Sequence, residues 1–201
     1  SGAGASHQIG VNQPLGQFYG YVTDGIVQVD DVVEGKGIRY TKADGTEGYY
    51  KTAMGQTLKA GDVKFVDRNE DGVVDDKDKD IIGNPNPDFT YGLNLQASYK
   101  NVDLALFFQG VHGGDVWDSW IEYSDFWNIQ NVNNTNHLKG VFNAWSPQNP
   151  DSNIPALSTR NTNDEKRTST YFLKDGSYLK LRTVELGYTF PESLVKKAMI
   201  S

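Results

Sequence analysis

The feature that most constrains this chain is a strict alternation of apolar and polar residues over residues 89–109. An alternation with a period of two predicts β-strand, and its interruption at Lys100-Asn101 predicts a hairpin with a tight turn. The first strand spans 11 residues, close to the length of a tilted strand that crosses a bilayer. The apolar and aromatic members are Phe89, Tyr91, Leu93, Leu95, Ala97 and Tyr99, then Val102, Leu104, Leu106 and Phe108.

Composition and charge exclude several function classes. A net charge of -7 disfavours a nucleic-acid partner, because the chain has no basic surface to neutralise phosphates. The absence of cysteine from these 201 residues excludes disulfides, cysteine-bound zinc and thiol catalysis within them. The histidines His7, His112 and His137 lack the spacing of metal ligands. The sequence therefore favours a β-rich protein that binds cations or neutral polar ligands.

Shorter strand patterns precede the alternating hairpin. We expect a strand over Phe18–Asp31 with a turn at Asp24-Gly25, and a polar hairpin over Glu34–Thr52 around Asp44-Gly45. Val63 and Phe65 alternate with polar residues and lead into an acidic segment. The proline-rich residues 81–89 after that segment predict a rigid connector.

The region after the hairpin predicts a long loop followed by one more strand. Residues 110–176 are rich in Asn, Ser, Thr and Pro, and such long connections are uncommon in compact soluble domains. Within them, the spacing of Trp117, Trp120, Ile121 and Ser124 indicates one short helix. Residues 178–190 alternate as a strand, with a bulge expected near Arg182-Thr183, and residues 191–200 predict an amphipathic helix.

The acidic segment DRNEDGVVDDKD, Asp67–Asp78, matches the spacing of a calcium-binding loop. Gly72 takes the sixth position, where such a loop turns sharply. Strand-like residues before it and prolines after it exclude the flanking helices of an EF-hand. We expect a structural calcium ion here; the alternative is an acidic, solvated turn that binds nothing. The expected ligands are Asp67, Asn69, Asp71, Val73 through its backbone carbonyl, Asp75 and Asp78.

The long segment also carries a group of aromatic residues near carboxylates. Aromatic rings beside acidic groups hold sugars in many proteins, and paired carboxylates hydrolyse glycosidic bonds. The alternative is that the rings pack the segment onto itself or onto a partner protein. The candidate contact residues are Trp117, Trp120, Trp127 and Trp145, with Asp115, Asp118, Glu122 and Asp125 nearby.

Five segments, taken in order, resemble one known family. They are PLGQFYGYVTDGI, GDVKFVDRNEDGVVDDKD, IGNPNPDFTYGLNLQASYKNVDLALFFQG, WSPQNP and SYLKLRTVELGYTFP, at residues 14–26, 61–78, 82–110, 145–150 and 177–191. Together they resemble the C-terminal third of SusC/RagA-like TonB-linked outer-membrane transporters. The resemblance implies a large barrel with a plug, a SusD-like lipoprotein lid, energy supplied through TonB, and import of glycans or peptides. It also implies that residues 1–201 are a C-terminal barrel portion without the plug, truncated before the final strands.

The resulting expectation is an all-β fold of antiparallel strands. It is a partial transmembrane β-barrel in the bacterial outer membrane, with long extracellular loops, short helical segments and no catalytic residues. The turn at Lys100-Asn101 would be periplasmic, with Phe89 and Tyr91 in the outer aromatic girdle and Tyr99 in the inner one. The main alternative is a soluble secreted β-sandwich module that binds carbohydrate with calcium, and a weaker one is a glycoside hydrolase fragment. In a barrel the apolar face of the hairpin meets lipid, whereas in a sandwich it meets a second sheet.

Overall fold

The fold consists mainly of short antiparallel strands. A computed structural model describes residues 7–8, 14–52, 58–121, 139–157 and 165–197. The strands are β1 (His7–Gln8), β2 (Gln17–Gly20), β3 (Thr23–Ile26), β4 (Val32–Val33), β5 (Gly37–Thr41), β6 (Glu47–Thr52), β7 (Val63–Phe65), β8 (Val73–Val74), β9 (Asp80–Gly83), β10 (Phe89–Tyr99), β11 (Val102–His112), β12 (Asp115–Trp117), β13 (Leu173–Asp175) and β14 (Tyr178–Tyr188). Helix α1 covers Glu192–Lys197, and 3-10 turns cover Val29–Asp31, Asp76–Asp78, Lys139–Asn143 and Thr170–Phe172. Among the described residues, no helix is long and apolar enough to cross a membrane.

The chain divides into two compact units, and the first comprises Ser1–Pro85 and Val116–Lys174. Its sheets have the strand orders β1-β2-β9, β3-β7 and β4-β5-β6-β8. All these pairs are antiparallel except β6-β8, which is parallel. The predicted hairpin at Asp44-Gly45 is confirmed, because Gly45 has a φ of 83° and the Asp44 carboxylate accepts hydrogen bonds from Thr46.

The first unit has a continuous hydrophobic core. Short strands, the 3-10 turns and the loops between them all contribute apolar side chains to it. Burial on this scale is the main favourable term in folding, and it accounts for the order of strands too short to be stable alone. The core residues are Tyr21, Ile26, Val27, Ile38, Tyr50, Leu58, Val63, Phe65, Val74, Ile121, Trp145 and Phe172.

The second unit comprises Asn86–Asp115 and Asp175–Ser201, and its sheet has the strand order β10-β11-β14. Strands β10 and β11 pair along their whole length, from Phe89↔His112 to Tyr99↔Val102, around a turn in which Lys100 has a φ of 56°. Strand β14 pairs with β11 in the same antiparallel sense. The register shifts where Phe107 pairs with Thr183 but Phe108 pairs with Leu181. Arg182 is the extra residue, so the predicted hairpin and the predicted bulge are both confirmed.

One face of this three-stranded sheet is apolar and exposed. Leu95, Leu106 and Val184 pair across the three strands, and the bulge keeps Leu181 and Leu179 on the same face as Val184. No second sheet covers this face in the described part of the unit, as a β-sandwich would require. The exposed large residues on it are Phe89, Tyr91, Leu93, Leu95, Tyr99, Val102, Leu104, Leu179, Leu181, Val184, Leu186 and Tyr188.

Three local predictions were wrong. The chain does not turn at Asp24-Gly25; it continues through β3 with a bulge, because Gly25 takes a φ of 76° and the register shifts between Thr23 and Ile26. The predicted connector over residues 81–89 does not begin at residue 81, because residues 81–83 belong to strand β9, which pairs with β2. The helix predicted from Trp117 does not begin there, because Trp117 ends strand β12; Ile121 is helical, and the residues that follow it lie outside the described ranges.

The segment 110–176 contains more structure than its composition predicts. Strands β12 and β13 pair with each other, and two of the 3-10 turns lie between them in sequence. Long-range contacts provide this order, since Phe172 is fully buried in the core of the first unit. The predicted helical residue Ser124 lies outside the described residues.

Candidate functional site

The acidic loop Asp67–Asp78 begins two residues after strand β7 and contains strand β8. Gly72 turns the chain with a φ of 85°, in the left-handed region that favours glycine, as the calcium-loop spacing predicts. Asp76–Asp78 forms a 3-10 turn, and β9 follows at Asp80. Neither flank is a helix, as predicted, although the strand that follows the loop was predicted to be a connector.

Asp67 occupies the first position of the loop and is buried. Its Oδ2 atom accepts hydrogen bonds from the Gly72 backbone N–H at 2.9 Å and from the Tyr40 hydroxyl at 3.0 Å. Its Oδ1 atom is buried and, among the described residues, has no hydrogen-bond partner. Such an atom is costly unless something satisfies it, so this oxygen is available to a cation in the loop.

Asp78, at the twelfth position, is fully buried and ties the two ends of the loop together. Its Oδ1 atom accepts the backbone N–H groups of Arg68 at 2.8 Å and Asn69 at 3.4 Å. Its Oδ2 atom accepts the N–H of Asp75 at 2.7 Å. Each oxygen of a carboxylate accepts more than one bond, so these bonds leave room for a metal contact.

The middle of the loop carries carboxylates that are shared with a lysine. The ammonium of Lys77 lies 3.6 Å from Oδ2 of Asp71 and 3.8 Å from Oδ2 of Asp75. Burial alone would raise the pKa of Asp71, but hydrogen bonds from Val73 and Asn69, together with Lys77, lower it overall. The positively charged ammonium of Lys77 therefore lies between Asp71 and Asp75, two of the expected calcium ligands.

In the observed conformation, the loop has only some of its candidate oxygens arranged to bind a metal ion. No group of three or more acidic or histidine side chains that could hold a metal is present within the described ranges. Asp71 Oδ1 is turned to the Val73 N–H and Asn69 Oδ1 to the Asp71 N–H. A bound ion would require Lys77 to withdraw and the exposed oxygens to turn inward around Asp67.

The three predicted tryptophans that the structure describes do not form one shared surface. Trp145 is buried, and its indole Nε1 donates to Gln28 Oε1 at 3.0 Å. Trp117 stacks on Phe172 with ring centroids 5.1 Å apart. Trp120 is 75% exposed. Trp127, Glu122 and Asp125 lie outside the described residues.

Comparison with known proteins gives the family. No family model matches the chain. TonB-dependent receptor P3 of Formosa agariphila is 32% identical over 185 residues, which is 92% of this chain and 16% of the receptor. TonB-dependent receptor SusC of Bacteroides thetaiotaomicron is 28% identical over 126 residues, or 63% of this chain and 12% of SusC.

This chain belongs to the SusC/RagA-like TonB-dependent receptors. The fold agrees: the chain superimposes on the RagAB peptide importer in its closed-closed state with a TM-score of 0.55, at 21% identity, over 90% of the chain and 17% of the importer chain. The predicted resemblance, the antiparallel β-fold and the bacterial outer-membrane localisation are thereby confirmed.

The exposed apolar face has a direct explanation in a TonB-dependent receptor. In outer-membrane barrels the hydrocarbon of the bilayer covers apolar faces of this kind. The opposite face carries Asn94, Gln96, Asp103 and Glu185. The alternation found in the sequence therefore separates an apolar side from a polar side.

Several contacts of the acidic loop in this receptor segment could not be found from the sequence. Tyr40 lies 27 residues before Asp67 in the chain, and its hydroxyl is part of no motif. The backbone N–H of Lys51 donates to the Gly72 carbonyl at 3.0 Å, in a parallel strand pair that no turn signal indicates. Lys77 is evident in the sequence of the loop, but its position between the Asp71 and Asp75 carboxylates follows only from the folded loop.

Proposed function

We propose that this chain is a wall and loop segment of an outer-membrane importer of glycans or peptides. The observation that carries the proposal is the continuous apolar face across β10, β11 and β14, on a chain similar to TonB-dependent receptors. The chain spans 16% of the length of the P3 receptor, so transport is the work of the longer protein.

The role of the sheet is to form part of a transmembrane wall. Aromatic side chains near both ends support this role: Phe89 and Tyr91 lie at one end, and Tyr99, Tyr188 and Phe190 at the other. Such girdles occupy the two membrane interfaces in outer-membrane barrels. Lys100-Asn101 would then form a periplasmic turn.

Spin labels test the wall role. Single cysteines replace Leu95 and, as the matched control, Asn94, in the full-length receptor reconstituted in lipid vesicles. We expect the label at Leu95 to collide with oxygen dissolved in lipid, and the label at Asn94 to collide with a water-soluble nickel complex. Preferential collision of both labels with the water-soluble reagent would contradict the proposal.

The expected partners are a SusD-like lipoprotein and TonB. The name SusC and the fold similarity to the RagAB peptide importer support this expectation. Copurification of the full-length receptor from outer membranes should recover a stoichiometric lipoprotein. Recovery of the receptor alone under conditions that preserve other outer-membrane complexes would contradict it. Uptake of glycans and of peptides by cells with and without the receptor then assigns the substrate class.

The acidic loop is proposed to bind a structural calcium ion. The buried, unpartnered Oδ1 atom of Asp67 supports this, together with the turn at Gly72. Calcium takes six to eight oxygen ligands, and the alternate residues of this loop supply them. The ion would lock the loop and carry out no chemistry. The proposed ligands remain Asp67, Asn69, Asp71, Val73, Asp75 and Asp78.

Calorimetric titration of the chain in detergent tests the calcium loop. Calcium should bind the parent chain with a stoichiometry of about one. Asp67→Asn and Asp71→Asn should abolish binding, while Asp44→Asn, in the exposed hairpin turn, should leave it unchanged. Absence of binding heat in the parent at several temperatures would leave the loop a plain acidic turn.

A further inference from the structure

Tyr40 links the acidic loop to a separate hairpin. It lies on strand β5, and its hydroxyl donates to Oδ2 of Asp67 at 3.0 Å. A tyrosine hydroxyl is protonated at neutral pH, so it remains a donor to Asp67. One oxygen of Asp67 is thereby fixed, and the other stays buried without a partner among the described residues.

The Tyr40 ring is itself held firmly. It packs edge-on against Tyr50 with centroids 5.8 Å apart. A Cβ atom at Gly48 would lie 2.7 Å from the ring, so the ring rests directly on the backbone of strand β6. The Tyr50 hydroxyl in turn accepts the backbone N–H of Phe65 at 3.2 Å, two residues before Asp67. The phenol therefore has a fixed position from which to orient the carboxylate.

Two further contacts join the same hairpin to the loop. The Ala43 N–H in the hairpin turn donates to Oε1 of Glu70 at 3.0 Å. The Lys51 N–H donates to the Gly72 carbonyl at 3.0 Å, and Val73 and Val74 pair in parallel with Lys51 and Thr52. The loop is thus connected to β5, to β6 and to the turn between them.

We propose that Tyr40 is a positioning residue for the cation: it holds Asp67 so that the Oδ1 atom of Asp67 points to the ion. Through this contact, ion binding is coupled to docking of the β5–β6 hairpin onto the acidic loop. The inference rests on the proposed calcium loop. Groups that hydrogen-bond to metal ligands orient them, and their loss typically weakens metal binding 10-fold to 100-fold. Because a ligand stabilises the state that it binds, the ion also stabilises the docked hairpin.

Terbium, a calcium substitute with the same preference for hard oxygen ligands, tests the role of Tyr40. A phenol close to the bound ion transfers its excitation energy and sensitises terbium luminescence. The variant is Tyr40→Phe, which keeps the ring and removes the hydroxyl. The matched control is Tyr49→Phe, on the opposite face of the hairpin, where the hydroxyl bonds to Glu47. The full chain is used in detergent.

We expect Tyr40→Phe to weaken calcium binding about 10-fold or more and to reduce terbium emission at saturation, whereas Tyr49→Phe changes neither. Equal affinity and equal emission for both variants would overturn the role of Tyr40 and leave the calcium loop standing. Failure of the parent to bind either ion would overturn both. A purely structural Tyr40 would lower the unfolding midpoint without changing the affinity of the folded chain.

Hydrogen exchange in the parent chain tests the coupling without any variant. Saturating calcium should slow exchange of the Lys51 amide at least about 10-fold, because the bond to Gly72 must open with the hairpin. Exchange of amides in β10 and β11 serves as the control and should not change. An unchanged Lys51 rate in a chain that binds calcium would overturn the coupling.

Discussion

The two units of this chain use the same strand periodicity in opposite ways. In the first unit Phe65 is 1% exposed and Phe172 is fully buried, as expected of a protein that folds in water. In the second unit Leu186 is 75% exposed and Val184 is 59% exposed, on strand β14, which pairs with β11 on both sides of its bulge. Alternation specifies which side chains share a face of the sheet. An apolar face must be buried against other parts of the protein only where it would otherwise be exposed to water.

The two units also differ in what keeps their strands ordered. Strands of two to six residues in the first unit depend on a shared core. The 11-residue strands of the second unit bury few side chains and depend on backbone pairing along their length. Experiments that disturb one source should therefore leave the other largely intact.

The largest effect is expected from the core of the first unit. Phe65→Ala removes a buried ring and leaves a cavity, so it should lower the free energy of unfolding by about 3–5 kcal/mol. Phe142→Ala, at a residue 91% exposed in the same unit, should change it by less than about 0.5 kcal/mol. Urea unfolding of the chain in detergent measures both, and similar losses would mean that the first unit has no dominant core.

The next effect is expected on the apolar face of the second unit. Leu95→Arg places a charge where the bilayer is proposed to lie, and should destabilise the full-length receptor in lipid vesicles by about 2–4 kcal/mol. Gln96→Arg, on the opposite face of the same strand, should cost less than about 1 kcal/mol. Folding titrations into vesicles measure the difference. Equal costs at the two positions would show that the face does not contact lipid.

Calcium should distinguish the units directly. At a concentration of about 100 times its dissociation constant, calcium should stabilise the first unit by about 2.7 kcal/mol, because the ion binds the folded loop. The sheet of the second unit should show no change. Hydrogen exchange resolves the two units in one sample, and Asp67→Asn serves as the control without the gain. Stabilisation of β10 and β11 to the same extent would contradict a local effect.

The smallest effect concerns Lys77. Its ammonium competes with a cation for Asp71 and Asp75 but is largely exposed, so solvent weakens the competition. Lys77→Met should raise calcium affinity by a factor of about 1.4 to 5, corresponding to the 0.2–1 kcal/mol of an exposed ion pair. Lys59→Met, at an exposed lysine outside the loop, should not change the affinity. Weaker binding in Lys77→Met would show that the lysine supports the loop and does not compete with the ion.

The sequence predicted the second unit more completely than the first. The hairpin, its turn at Lys100-Asn101 and the bulge near Arg182 follow from alternation and from its one break in phase. Long strands repeat the same signal many times, so chance matches are few. In the first unit, β8 has two residues and pairs in parallel with β6, and no local pattern carries such information.

The candidate site was predicted as a list of ligands but not as a structure. The spacing from Asp67 to Asp78 predicted the turn at Gly72, because a turn of this kind leaves a local signature. Tyr40 reaches Asp67 across 27 residues of chain, through a sheet whose register is set elsewhere. Trp117 was misassigned to a helix because its spacing to Trp120 also suits a strand followed by a turn.

The bulge at Arg182 changes which residues of strand β14, odd-numbered or even-numbered, point to the apolar side. Before it, odd-numbered Leu179 and Leu181 point to the apolar side; after it, even-numbered Val184 and Leu186 do. Deleting Arg182 would straighten β14 and keep every apolar residue on its present side. Deleting one residue near Leu186 would instead move the rest of the strand to the wrong side. This strand therefore has a specific position at which its length can change without a change in the residues that form its apolar side.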